Sequence, residues 1–224
     1  TSEVTSMRGM FDNCSDLTNL DLTPLDTQNV TNMSGMFNSC ESLTSLDLSP
    51  LNTKNVTDMS WIFSSCVGLS SIDLSPLDTN NVTDTSFMFY GCTGLKTLDL
   101  TPMNTSKVVT MQQMFYDCSG LTSLDLTSLD TRNVMGMSGM FQGCKSLINL
   151  DLSSLNTQKV TSMNSMFLDC DSLSTLSIGE KFAFVGTYYN LPSDTWYSSN
   201  GTAYISNGNS CTIPSDKADT YTRK

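Results

Sequence analysis

The chain contains no histidine in 224 residues. That absence removes the commonest general base and the commonest transition-metal ligand, although carboxylate chemistry stays open. Positive charge is also scarce. Eleven Lys and Arg stand against 22 Asp and Glu, leaving a formal charge of −11. Such a balance argues against nucleic acid and anionic membrane surfaces as partners. Charged residues of both signs make up only 15% of the chain, so the exterior is built mainly from Ser, Thr and Asn. No apolar run approaches the roughly 20 residues that span a bilayer, and no signal-peptide pattern is present. No CxxC pair occurs, so the cysteines do not offer the converging ligands of a zinc site.

What the chain does have is a ruler. Cys14, Cys40, Cys66, Cys92, Cys118, Cys144 and Cys170 recur every 26 residues without a slip. Other columns keep the same phase. Val30 and its equivalents lie ten residues before each Cys, Phe37 and its equivalents three before, and Leu43 and its equivalents three after. Fixed self-similarity of this kind means stacked units, each burying its apolar face against the next. Thr1 aligns with Thr27, Thr53 and Thr79. The chain therefore opens inside a repeat and reads as a fragment or processed product, with any export signal and wall anchor outside it.

Two periods run within one unit. Val30, Met33, Met36, Phe37 and Cys40 follow three- and four-residue steps, the spacing of one helical face, with Asn29 as a candidate N-cap. Leu46 and Leu48 alternate with Ser45, Asp47 and Ser49, the spacing of a half-buried strand. These periods predict an α/β solenoid of about seven 26-residue coils. Its strands form a parallel concave sheet, and short helical arcs return along the outside. The 14 methionines lie mostly in the columns of Met33 and Met36 and read as core. The cysteines read as buried thiols acting as small hydrophobes, with a Cys170–Cys211 disulfide as the alternative for that pair.

Units such as LTSLDLSPLNTKNVTDMSWIFSSC and LINLDLSSLNTQKVTSMNSMFLDC resemble the BspA-type leucine-rich repeat surface proteins of bacteria. The shared pattern, LDLSxLDTxxVTxMxxMFxxC, covers residues 1–178, with Thr85, Ile62 and Ser177 as local departures. The resemblance implies an exported, adhesion-like protein. It carries over no catalytic residue.

Candidate binding residues are of two kinds. Asp47, Asp73, Asp99 and Asp125, with Asp21 and Asp151, should form an outward ladder on the concave sheet. Adjacent carboxylates at strand spacing repel one another, so the ladder needs hydroxyl partners, solvation and raised pKa values in some members, or else a cationic or polar ligand. A second column alternates without exception, Asp26, Asn52, Asp78, Asn104, Asp130, Asn156, and reads as turn capping. The other kind breaks the repeat. One outward position runs Gly9, Gly35, Trp61, Phe87, Gln113, Gly139, Ser165. Another runs Asp12, Asn38, Ser64, Tyr90, Tyr116, Gln142, Leu168. Trp61, Phe87, Tyr90 and Tyr116 should therefore meet in one patch, either filling local gaps or marking an interaction site.

After Ile178 the period stops. Residues 179–224 read as a small β-rich capping segment, with KFAFV and TAYIS as short strands and Trp196 and Tyr197 as packing anchors. It should cover the last coil's apolar face and strand edge. The expected function is a non-catalytic module at the bacterial cell surface, outside the cell, that binds a host protein or glycan through the solenoid surface. It has no catalytic residue, metal or cofactor, no nucleic-acid partner and no membrane insertion. A passive stalk is the alternative. A carbohydrate-active enzyme is the third reading, and no acidic cluster breaks the repeat as such a site requires.

Overall fold

Seven phenylalanine rings, Phe11 through Phe167, stack face to face with centroids 5.7 to 6.2 Å apart. Helix axes need roughly 8–10 Å, so no row of helices can carry this column. The computed structural model, which describes residues 2–215 and 217–224, has no helix among them. The α/β solenoid with helical return arcs is thus overturned. Turns, not helices, create the three- and four-residue spacing.

One coil shows how. Met36 donates its N–H to Met33 O (3.1 Å), Asn38 to Gly35 O (3.0 Å) and Cys40 to Phe37 O (3.2 Å). Gly35 (φ 63°) and Ser39 (φ 56°) occupy the third positions of the first and last of these turns, and positive φ there is the signature of type II turns. Successive turns set Met33, Met36, Phe37 and Cys40 on one face, and all four are fully buried. Between the turns, alternate peptides stand along the stacking axis. Met33, Gly35, Phe37 and Ser39 donate to Asp58, Ser60, Ile62 and Ser64 of the next coil at 2.8–3.0 Å. Their own peptides' carbonyls, on Asn32, Ser34, Met36 and Asn38, accept from the preceding coil. Every peptide from 32 to 39 thus has a partner. Asn29 caps no helix. Its Nδ2 donates to Ser2 O (2.8 Å) and ties two coils together.

The inter-coil ladder therefore lies on the arc, marked by parallel bridges from Ser6 through Asn32, Asp58, Asp84, Thr110 and Gly136 to Ser162. The expected concave parallel sheet is reduced to its last two members. β1 (Asn149–Leu152) pairs in parallel with β2 (Thr175–Ile178), and the earlier LxL segments form no strand. Their leucines still point inward, as Leu48, Leu74, Leu100 and Leu126 are all buried.

The C-terminal segment extends this short sheet. β3 (Asp194–Tyr197) and β4 (Ala203–Ser206) form a hairpin, and β5 (Asp219–Arg223) lies antiparallel between β2 and β3, giving the order β1-β2-β5-β3-β4. TAYIS contains β4, whereas KFAFV is not a strand. Trp196 is wholly buried, its indole donating to Pro192 O (3.2 Å), and Tyr197 is half-buried. Tyr188 and Tyr189 carbonyls accept the axial N–H groups of Ser165 (2.6 Å) and Phe167 (2.9 Å) in the last coil.

Candidate aromatic ladder and adjoining cleft

The structure brings the four repeat-breaking aromatics together. Trp61 lies flat on Phe87 (3.9 Å, 8°), Tyr90 lies flat on Tyr116 (4.5 Å, 9°), and Tyr90 tilts against both Trp61 (5.5 Å) and Phe87 (6.1 Å). Trp61 is 38% exposed; the other three are half-buried. Burial, with help from nearby Asp117, raises the pKa of the Tyr116 phenol above its usual value.

Trp61 and Phe87 both sit at φ 60°, in the column that holds Gly9, Gly35 and Gly139 elsewhere. A left-handed backbone costs an ordinary residue about 1–2 kcal/mol, and a stacked aromatic pair returns about 0.5–1.5 kcal/mol beyond its burial. For two such residues the backbone cost is about 2–4 kcal/mol, more than the stacked pair returns by itself, and burial of the rings offsets the remainder. Gln113 (φ 52°) and Ser165 (φ 59°) hold the same backbone in this column, so what sets Trp61 and Phe87 apart is the size of their rings, not their conformation.

Beside the ladder lies a cleft of about 350 Å³, lined by residues of three successive coils. Trp61 forms one wall. Gly9 and Gly35, one and two coils earlier in its column, leave the space open. The rim is polar. Asn38 Nδ2 donates to Asp12 Oδ1 (2.6 Å). Asp58 accepts from the Ser60 N–H (2.9 Å), the Ser60 hydroxyl (2.7 Å) and Asn32 Nδ2 (3.0 Å). Arg8 completes the rim and makes no ion pair among the described residues. Sequence reasoning missed Arg8, Asp12, Asn38 and Asp58 as a group. The available signal was the column order Gly, Gly, Trp, which leaves a hollow beside the first bulky ring.

The aspartate ladder has a local role. Asp21, Asp47, Asp73, Asp99, Asp125 and Asp151 each accept the N–H two residues on, at 2.8–2.9 Å. These bonds cap the turn after each LxL segment. Asp47, Asp73 and Asp125 are held below the usual carboxylate range chiefly by that backbone bond, and Asp21 chiefly by the Thr23 side chain. The raised values expected for some members are reversed at these four, because each carboxylate meets a donor before it meets its neighbour. The alternating Asp/Asn column behaves as turn capping requires. Asn52 and Asp78, for instance, accept the N–H of Lys54 (3.3 Å) and Asn80 (3.0 Å).

All eight cysteines are free, and the Cys170–Cys211 disulfide is not made. From Cys40 to Cys170, each thiol donates to the Phe carbonyl of the preceding coil, at 3.0–3.2 Å. They are therefore hydrogen-bond donors as well as small hydrophobes. Burial pushes the Cys92 and Cys170 thiols up to about 12, which suppresses the nucleophilic thiolate. Cys211 packs against Tyr189, whose hydroxyl accepts the Cys211 N–H (2.6 Å). Among the described residues no three acidic or thiol side chains gather in a metal-ligating group.

Comparison with known proteins gives a family and a structural likeness. No curated protein matches the chain. Among solved structures it is similar to a leucine-rich repeat protein from Bacteroides ovatus, at 18% identity over 84% of this chain and 73% of that one, with a TM-score of 0.29. Residues 1–97 and 68–179 match the family described as "Mycoplasma protein of unknown function, DUF285", and the chain belongs to that repeat family.

Proposed function

We propose that the chain is a non-catalytic interaction module of a bacterial cell-surface protein, acting outside the cell and binding a host protein or glycan. The carrying observation is the stacked ladder of Trp61, Phe87, Tyr90 and Tyr116. It breaks an otherwise regular array by stacking four rings where most other coils carry Gly, Ser, Asn, Asp or Gln. A contiguous, partly exposed aromatic surface of this kind marks interaction sites. The 26-residue pattern supports placing the module beside the BspA-type surface proteins. Absence of histidine and the weakly charged, hydroxyl-rich exterior fit a binding surface better than an active site.

The test is binding of the chain to immobilised mucins, matrix proteins and glycans, compared with the double variant Trp61→Ser, Phe87→Ser. Ser165 already holds φ 59° in the same column, so serine suits the backbone and the fold should persist. Loss of at least tenfold in affinity with an unchanged unfolding midpoint is expected. Equal binding by both proteins removes the ladder from the interface, and no binding to any surface leaves a passive spacer as the better reading.

A further inference from the structure

We infer that the cleft beside Trp61 takes a neutral hexopyranose unit of a glycan, seated on the open face of the indole. This deepens the interaction-module reading and rests on it.

Phe87 covers one face of Trp61, with ring planes 8° from parallel. The opposite face is turned toward Gly35, which has no side chain, and borders the cleft. A pyranose has two unlike surfaces that match this site. Its C–H face presents weakly positive hydrogens to the negative face of the ring. Its rim of hydroxyls both donates and accepts, and so meets acceptor-only Asp12, the Asn38 amide and donor-only Arg8. The volume, about 350 Å³, lies at the lower end of the roughly 300–1,000 Å³ of small-ligand pockets.

Other occupants fit less well. An apolar side chain would desolvate the polar rim without giving it partners. An anionic sugar would meet Asp12 and Asp58 against the single cation Arg8. The site is also set before a ligand arrives. The Trp61 backbone is fixed by its N–H to Ser86 O (3.0 Å), and neighbouring Ser60 accepts from Gly35 (2.8 Å). With the ring clamped by Phe87, little side-chain freedom is lost on binding.

The chain's two tryptophans allow a direct test. Trp61 is exposed and Trp196 is wholly buried, so their indole N–H resonances serve as reporter and internal control. The labelled protein is titrated with methyl glycosides of glucose, galactose, mannose and N-acetylglucosamine, with linear tetrasaccharides of the same sugars, and in parallel with an Arg/Lys-rich decapeptide. Two variants accompany it. Trp61→Ser removes the platform. Gly35→Gln fills the hollow, and it suits the backbone because Gln113 already holds φ 52° where Gly35 holds φ 63°. The nearest atom to a Cβ added at Gly35 is Asn38 Cβ at 3.8 Å, so there is room.

A saturable shift of the Trp61 signal with at least one sugar is expected, with Trp196 unmoved. Binding should weaken at least tenfold in both variants while their unfolding midpoints stay near that of the parent. No shift with any sugar, or parental affinity in Gly35→Gln, overturns the inference. A shift with the decapeptide alone also overturns it but leaves the interaction-module reading standing. That reading falls separately, if the screen of mucins, matrix proteins and glycans shows no binding to any surface.

Discussion

At the scale of single residues, the threonine that opens each turn carries more of the stack than its polarity suggests. Thr27, Thr53, Thr79, Thr105, Thr131 and Thr157 are all buried. The Thr79 hydroxyl accepts the N–H of Asn104 (2.7 Å) and donates to the carbonyl of the same residue (3.2 Å). One hydroxyl thus closes two backbone groups of the next coil. Valine has nearly the same shape but would remove both of these part-buried bonds. A net hydrogen bond contributes about 1 kcal/mol, and an orphaned buried group costs about 1–3 kcal/mol. Thr79→Val, which loses two such bonds, should therefore lose about 1–3 kcal/mol in urea unfolding, while Thr79→Ser, which keeps the hydroxyl, should lose less than about 1. Equal effects of the two would mean that methyl packing, not the bridge, matters here.

At the scale of elements, the columns and their burial were legible in the sequence, but the conformation of the arc was not. Val30, Met33, Met36, Phe37, Cys40 and Leu43 are buried as their phase implies, and the four aromatics meet as their columns imply. The helix was misread because consecutive four-residue turns also return to one face every three or four residues. The corrective signal lies one residue before each cysteine, where Asn13, Ser39, Ser65, Gly91, Asp117, Gly143 and Asp169 all adopt positive φ. Gly, Asn and Asp favour that region and are poor helix formers. The cleft was illegible because it needs the coil spacing as well as the column order. Strand β5 was missed because DTYTR has no long apolar run, yet it closes the array. Tyr221 is 1% exposed, faces Leu176 across β2 and meets Tyr204 edge-on at 5.6 Å. Truncating a buried aromatic costs about 3–5 kcal/mol, so Tyr221→Ala should lose that much in urea unfolding. It should also bare the β2 edge and cause concentration-dependent association, visible by light scattering. A loss below about 1 kcal/mol with no association would show that the cap does not hold the last coil.

At the scale of the whole molecule, stacked burial of one titratable group in coil after coil makes stability a function of alkaline pH. Burial raises the thiols of Cys40 to about 11 and of Cys92 and Cys170 to about 12, and it raises Cys66, Cys118 and Cys144 as well. It also pushes the Tyr221 phenol up to about 12. In the unfolded chain a thiol ionises near pH 8.5. Below that pH both states hold the proton and the stability is fully present. Above it the unfolded chain releases protons that the folded chain retains, so stability falls as pH rises toward the folded values. Each thiol contributes about 1.4 kcal/mol per pH unit in this window. Cys92 and Cys170 alone amount to about 3 kcal/mol per unit, against a total of about 5–15 kcal/mol for a typical domain. The fold should therefore be lost between about pH 9 and 11 at 25 °C, followed by circular dichroism. The slope of unfolding free energy against pH separates this cause from general repulsion in a chain of charge −11. Cys92→Ala should lower stability at pH 7 yet flatten the alkaline slope by about 1.4 kcal/mol per unit. An unchanged slope would assign the alkaline loss to net charge rather than to the buried thiols.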